Sequence, residues 1–203
     1  MRQTGTWGVV IPVKCGAYAK SRLSVPRVSR ATLALAMAVD TVAAARAALT
    51  GPVLVVTSDR RVAQDVRSVG ACVLADPGRG LAEAVAAGLD ALPAGARAVL
   101  LGDLPALRPA DLLAALAACA HHERAFVPDR PGTGTVLLTA RAGSAPVPRF
   151  GEGSAAAHDA AGHTRVDLDL PSLRTDVDDV ADLAAARILG VGPRTREALA
   201  AAR

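Results

Sequence analysis

The chain has 203 residues, half of them apolar (51%), a formal net charge of +4 and a mean hydropathy of +0.31. That length supports one domain with a buried core and no need of a disulfide or metal staple. The charges at Asp40, Arg46 and Asp103 break the apolar runs, so no membrane-spanning helix is expected.

Met1 to Gly5 carries no secretory pattern, which places the expected location in the cytoplasm. Cys15, Cys72 and Cys119 are odd in number and widely spaced, with no CxxC pair, so neither a disulfide framework nor a cysteine-built zinc site is expected. A basic surface suits anionic ligands. Nucleic acid is disfavoured among them, because Trp7, Tyr18, Phe126 and Phe150 are the only aromatics and the arginines are dispersed.

In chain order, Trp7–Val13 is a short apolar run read as a buried strand, followed by a helix over about Ser29–Leu49 with Ser29 as its cap. Val53–Thr57 is a second strand between Gly51-Pro52 and Ser58-Asp59, and Arg60–Ser68 a second helix. Cys72–Leu74 and Ala98–Leu101 continue the strands, Gly80–Leu92 and Pro109–Ala120 the helices. Phe126-Val127, Val136–Leu138 and Val166–Leu168 are read as further strands, Ser154–Gly162 and Val180–Leu189 as helices. The alternation predicts an α/β chain: a single Rossmann-like domain over 1–203, its sheet mostly parallel with helices on both faces. Ligands of such sheets bind at the carboxyl ends of the strands.

The candidate residues follow from that rule. Only two lysines occur against 21 arginines, and both, Lys14 and Lys20, fall in the loop after the first strand together with Arg22. Three cations without an acid suit a polyanion such as a nucleotide phosphate, where ammonium and guanidinium are not interchangeable; the same loop also reads as a solvated basic turn. No GxxxxGK[ST] occurs, which disfavours a P-loop enzyme. Asp103 stands at a strand end in Gly102-Asp103-Leu104-Pro105, suited to magnesium, which takes one or two carboxylates plus phosphate oxygens and water. Asp176 and Asp178 could join it. Taken alone, they read as the acidic approach to the following helix, where the macrodipole favours negative charge. Gly132-Thr133-Gly134-Thr135 offers amides and hydroxyls to an anion, and Gly151-Glu152-Gly153-Ser154 does so at a helix start. His121, His122, His158 and His163 form no metal pattern and are expected at the surface.

Together, Ile11-Pro12-Val13-Lys14, Ala19-Lys20-Ser21-Arg22-Leu23, Gly102-Asp103-Leu104-Pro105, Asp129-Arg130 with Gly132–Thr135, and Phe150-Gly151-Glu152-Gly153-Ser154 resemble the phospholactate/phosphoenolpyruvate guanylyltransferase family. The resemblance runs in order from about residue 7 to residue 183. It implies a Rossmann-like nucleotidyltransferase acting in biosynthesis of the deazaflavin coenzyme F-420. The lysine-bearing first loop separates this branch from molybdenum-cofactor guanylyltransferases and sugar nucleotidyltransferases.

By resemblance, GTP phosphates would lie on Lys14, Lys20 and Arg22, and magnesium or manganese would be held through Asp103, Asp176 and Asp178. Thr135, Gly151 and Ser154 would meet a phosphorylated three-carbon acid, phosphoenolpyruvate or 2-phospho-L-lactate. Where many relatives have Gly-Leu-Asn near the base, this chain has Gly80-Leu81-Ala82-Glu83, which leaves guanine selectivity open. So are transfer to a molybdopterin or sugar phosphate, a non-catalytic nucleotide-binding module, and assembly as a homo-oligomer.

Overall fold

A computed structural model describes residues 6–14 and 22–201. Its centre is one seven-stranded sheet of order β3-β2-β1-β4-β6-β5-β7, formed by β1 (Trp7–Pro12), β2 (Val53–Thr57), β3 (Cys72–Ala75), β4 (Ala96–Leu100), β5 (Arg124–Pro128), β6 (Thr135–Ala140) and β7 (Thr164–Arg165). β6 alone runs against the others, pairing antiparallel with β4 and β5. The reversal follows from the short turn 129–134, which joins β5 to β6 as a hairpin with no crossover helix. The expected mostly parallel α/β architecture is therefore observed.

The strands are apolar throughout because both faces are covered. Successive residues feed opposite cores: Val9 and Ile11 of β1 pack on one side and Val10 on the other, and Val53 and Val55 of β2 are likewise separated from Leu54 and Val56. The first core lies under α1 (Arg30–Ala48), α2 (Arg60–Ser68) and α4 (Pro109–Cys119), the second under α3 (Leu81–Ala91) and α5 (Ser154–Ala160). Gly88 lets α3 settle on the sheet, since a Cβ there would come within 2.9 Å of Val56. A third, smaller core joins Leu33 and Met37 of α1 to Ala106, Val177 and Leu183, and so draws the segment before α7 (Val180–Leu189) toward the end of β4.

The Ser29 hydroxyl accepts the Thr32 N–H at 3.0 Å, the expected cap. Contrary to expectation, α1 is long and apolar enough, by length and composition, to cross a bilayer; most of it is buried in the fold. Two of its three charges, Asp40 and Arg46, are accommodated locally. Buried Asp40 accepts the Arg194 and Thr195 amides at 3.1 and 2.8 Å, at the start of α8 (Pro193–Ala200). Arg46 donates to the Gly51 carbonyl at 2.9 Å.

Val166–Leu168 is not a strand. The pairing ends at Arg165, and Val166 contributes one bond to Phe126 O, because this edge of the sheet has only β5 to pair with. α8 and the single turn α6 (Pro171–Arg174) were not anticipated, although each begins on a proline, a residue suited to the first helical turn.

Candidate active site

The sheet changes direction of growth between β1 and β4: the chain builds β1, β2 and β3 outward, then returns to the far side of β1. At that switch point the strand ends leave a crevice, the usual ligand position in such folds. A cavity of about 710 Å³ lies there. Lys14 enters it from the end of β1, Ser58 from the end of β2, Asp76 from β3, and Gly102 and Asp103 from β4. Arg22 and Asp178 complete the polar wall. One flank is apolar, from Ala34, Met37 and Ala38 of α1, and the far end is formed by Gly78, Gly80, Leu81 and Ala84 at the start of α3. Gly102 is pressed against β1, where a Cβ would stand 3.2 Å from Pro12 O, so the backbone beside Asp103 runs close to its neighbour.

Two links bring the late carboxylates to Asp103. The Val177 N–H donates to the Asp103 carbonyl at 3.1 Å, tying the 176–178 segment to the end of β4. The Arg174 guanidinium fixes the approach, donating to the carbonyls of Pro128, Asp129 and Leu168 at 2.9 to 3.3 Å. Burial, and then the charges of Asp103, Asp178 and Asp129, push Asp176 up to about 7. Asp176 is therefore within electrostatic reach of each of these acids.

Helix capping falls to their neighbours: Asp179 accepts the Asp182 N–H at 2.9 Å, and Asp182 accepts the amides of Asp178 and Asp179. Among the described residues no group of three or more His, Cys, Asp or Glu side chains forms a ready metal cage. A cation held at these carboxylates would therefore need phosphate oxygens and water to complete its ligands.

Thr135, Gly151 and Ser154 lie outside the wall of this cavity and form a second cluster. Thr135 opens β6 opposite Pro128, while Ser154 begins α5; both are buried. The Ala155 N–H donates to Thr133 O at 3.0 Å, joining the two segments. Gly151 and Gly153 have φ of +139° and +69°, values that require glycine in this turn.

The connection to the carboxylate side is Asp129, which stands next to the Thr135 pairing and contributes to the shift of Asp176. Here the structure corrects two expectations. The amides of Gly132, Thr133 and Gly134 are not available to a ligand: all three donate to the Asp129 carboxylate, at 2.7, 2.9 and 2.8 Å. His158 and His163 are buried core residues, not surface ones: α5 places His158 against Phe126 and Phe150, and His163, just past the helix, packs edge-on against His158. His121 and His122 do follow the end of α4, as expected.

Lys20 lies outside the described residues. Of the remaining candidates the structure gathers Lys14, Arg22, Asp103 and Asp178 on one cavity, with Asp176 behind them. Sequence reasoning passed over Ser58 and Asp76, although both follow strands and the rule that selected Asp103 would have found them. Arg174 and His158 left no comparable signal, since their partners are backbone atoms and one threonine hydroxyl that no local motif marks.

A family model described as the MobA-like NTP transferase domain matches residues 30–167. A phosphoenolpyruvate guanylyltransferase from Salinispora arenicola is 51% identical over 198 residues, covering 95% of this chain and 92% of that protein. A nucleotidyl transferase from Methanothermobacter shares the fold with a TM-score of 0.60 at 16% identity, covering 91% of this chain and 97% of that one. A Mycobacterium tuberculosis protein solved in complex with manganese has a TM-score of 0.53 at 18% identity, with coverage of 89% and 97%. Fold and matched domain define the class: this is a nucleotidyltransferase. Within that class, the chain belongs to the phosphoenolpyruvate guanylyltransferase family.

Proposed function

We propose that this enzyme transfers a guanylyl group from GTP to phosphoenolpyruvate, giving enolpyruvoyl-diphospho-guanosine and pyrophosphate. The observation that carries the reading is the meeting of Lys14 and Arg22 with Asp103 and Asp178 on a single cavity at the switch point. The name of the 51% identical relative supports the substrates. The nucleotide would lie with its base toward Gly80–Ala84 and its phosphates toward Lys14, Lys20 and Arg22. The acid would lie toward Thr135, Gly151 and Ser154.

An oxygen of the acid's phosphate attacks the α-phosphorus of GTP, a new P–O–P bridge forms, and the bond to the departing pyrophosphate breaks. A phosphate monoester, with second pKa near ~6, is already mostly ionised at neutral pH, so no protein base is needed. The protein's work is to hold two polyanions together in line and to offset their repulsion with fixed cations.

Asp103 and Asp178, with Asp176, would hold a divalent cation, magnesium or manganese. Bound there, it would neutralise phosphate charge and orient the pyrophosphate leaving group. Burial, and then the neighbouring acids, push Asp176 up to about 7, and a cation would relieve the part due to those acids. The resemblance suggests a place for the reaction in coenzyme F-420 biosynthesis.

Mass spectrometry of mixtures containing GTP, magnesium and each acid in turn tests the proposal. A guanosine diphosphate conjugate of phosphoenolpyruvate is expected. A product with 2-phospho-L-lactate alone would change the acceptor, and no pyrophosphate release with either acid would overturn the reading.

A further inference from the structure

His158 lies one helical turn beyond Ser154 on α5 and is completely buried. Its Nδ1 stands 2.9 Å from Thr135 Oγ1, and its Nε2 lies 2.8 Å from the Arg149 amide nitrogen. A backbone N–H can only donate, so Nε2 accepts, and a neutral ring then carries its proton on Nδ1. That proton points at Thr135 Oγ1, which must accept it, and the hydroxyl's own hydrogen is left to donate elsewhere. One ring thus joins three pieces of chain: the start of β6, the backbone leading into Phe150-Gly151, and the helix that carries Ser154.

We infer that His158 is a positioning residue for the acid substrate, fixing the Thr135 hydroxyl as a donor toward an anionic oxygen and holding the 149–151 backbone against α5. The inference rests on the reading of Thr135, Gly151 and Ser154 as the acid's side of the site. Phe150 packs edge-on to the imidazole with ring centroids 5.1 Å apart, with Phe126 and His163 at 5.9 and 5.6 Å, so water is kept from replacing either bond.

The neutral form is maintained by burial first, then by His163 and the Arg149 guanidinium; against the pull of the Ser154 backbone, they lower its pKa to about 4. His163 is itself lowered by burial, with the Arg124 charge acting in the same direction and the His158 backbone opposing. A protonated ring would present N–H to an amide N–H at Arg149, and the clamp would open.

Two substitutions separate the bonds. His158→Asn keeps an amide donor near the Nδ1 position, facing Thr135, whereas His158→Gln keeps a carbonyl near the Nε2 position, facing the Arg149 amide. Initial rates of pyrophosphate release are measured with magnesium, varying GTP and phosphoenolpyruvate separately. His158→Gln is expected to raise KM for the acid about tenfold and His158→Asn about threefold, with KM for GTP within about twofold in both. A merely structural histidine would shift both KM values together or only lower the active fraction.

Acid KM values within about twofold of wild type in both variants, or a parallel rise in KM for GTP, would overturn the inference. Wild-type protein inactive with phosphoenolpyruvate would overturn the proposed function and this inference with it; active wild type with unaffected variants would overturn this inference alone. Should neither variant fold, ¹⁵N spectra of the wild-type imidazole at pH 7 serve instead. An Nδ1-protonated ring whose resonance moves when phosphoenolpyruvate is added supports the assignment, and an Nε2-protonated ring, or one unmoved at saturation, refutes it.

Discussion

The two halves of the candidate site resolve their charges in opposite ways. On the switch-point side, Asp103, Asp176 and Asp178 are crowded together, and burial with mutual repulsion holds Asp176 near 7. On the Thr135 side the acid is already satisfied: Asp129 takes three backbone amides, and His158 is matched at both ring nitrogens. One half stores repulsion that a bound cation would discharge, and the other is set before any ligand arrives. A reaction that joins two polyanions needs both, one to neutralise charge and one to fix direction.

The comparison breaks most sharply on metal removal. Chelation is expected to abolish pyrophosphate release, with recovery on adding magnesium or manganese; full activity in a chelated sample would remove the cation from the first half. The pH sense is also set. Asp176 has a folded pKa raised from 3.8 to about 7, so its stabilising contribution is complete below about pH 4 and is lost as pH rises through about 7. A cation at these acids reverses that loss. Magnesium should therefore raise the thermal midpoint more at pH 8 than at pH 6, and equal shifts would place it elsewhere.

Next in size is Asp103→Asn. Losing a carboxylate that would face both the cation and the phosphates is expected to lower kcat about 10³-fold, on the order of 4 kcal/mol, while the fold stays intact. Lys14→Ala should lower it about 10²-fold, since it removes one fixed cation among several. Comparable losses in thermal stability would show that these residues support the fold instead.

Much of the first half was legible in the sequence. Strands covered on both faces must be apolar runs, so β1, β2 and β4 stand out, and the rule that ligands sit at strand ends leads directly to Lys14 and Asp103. The expected helices Arg60–Ser68 and Val180–Leu189 match the observed bounds, and in the structure each is capped by an acid, Asp59 or Asp179. The second half was hidden. Glycines and threonines before a strand look like free donors until Asp129, three to five residues earlier in the chain, is seen to accept their amides. A histidine five residues from another on an alanine-rich helix carries no periodic signal, and its burial depends on Phe126, 32 positions away in sequence. The Val166–Leu168 segment is apolar enough for a strand but lies at a sheet edge, where burial alone does not supply a ladder.

A smaller effect sharpens the contrast through pH. The folded pKa of His158 is lowered from 6.5 to about 4, the opposite sense to Asp176. Its contribution is complete above about pH 6.5 and is lost as pH falls through about 4, because the unfolded chain takes up the proton first. A shift of that size is on the order of 3 kcal/mol. Denaturant midpoints at pH 7 and pH 4.5 should diverge by less in His158→Gln than in wild type. An identical pH dependence in the two proteins would show that the ring is not held neutral.

The smallest expected effect comes from Asp129→Asn, which keeps the shape of the turn but replaces one accepting oxygen by an NH₂. Oδ1 receives the Gly132 and Thr133 amides and Oδ2 the Gly134 amide, so whichever way the new side chain turns, a donor faces a donor. Leaving one amide unmatched costs about 1–2 kcal/mol. The substitution also removes one of the charges that push Asp176 up, so that carboxyl should move back toward its ordinary range. The two consequences can be read separately: a lower thermal midpoint with a raised KM for the acid reports the turn, and a weaker pH dependence of magnesium-induced stabilisation reports the field. If only the first appears, Asp129 belongs wholly to the Thr135 side, and the two halves are electrostatically independent.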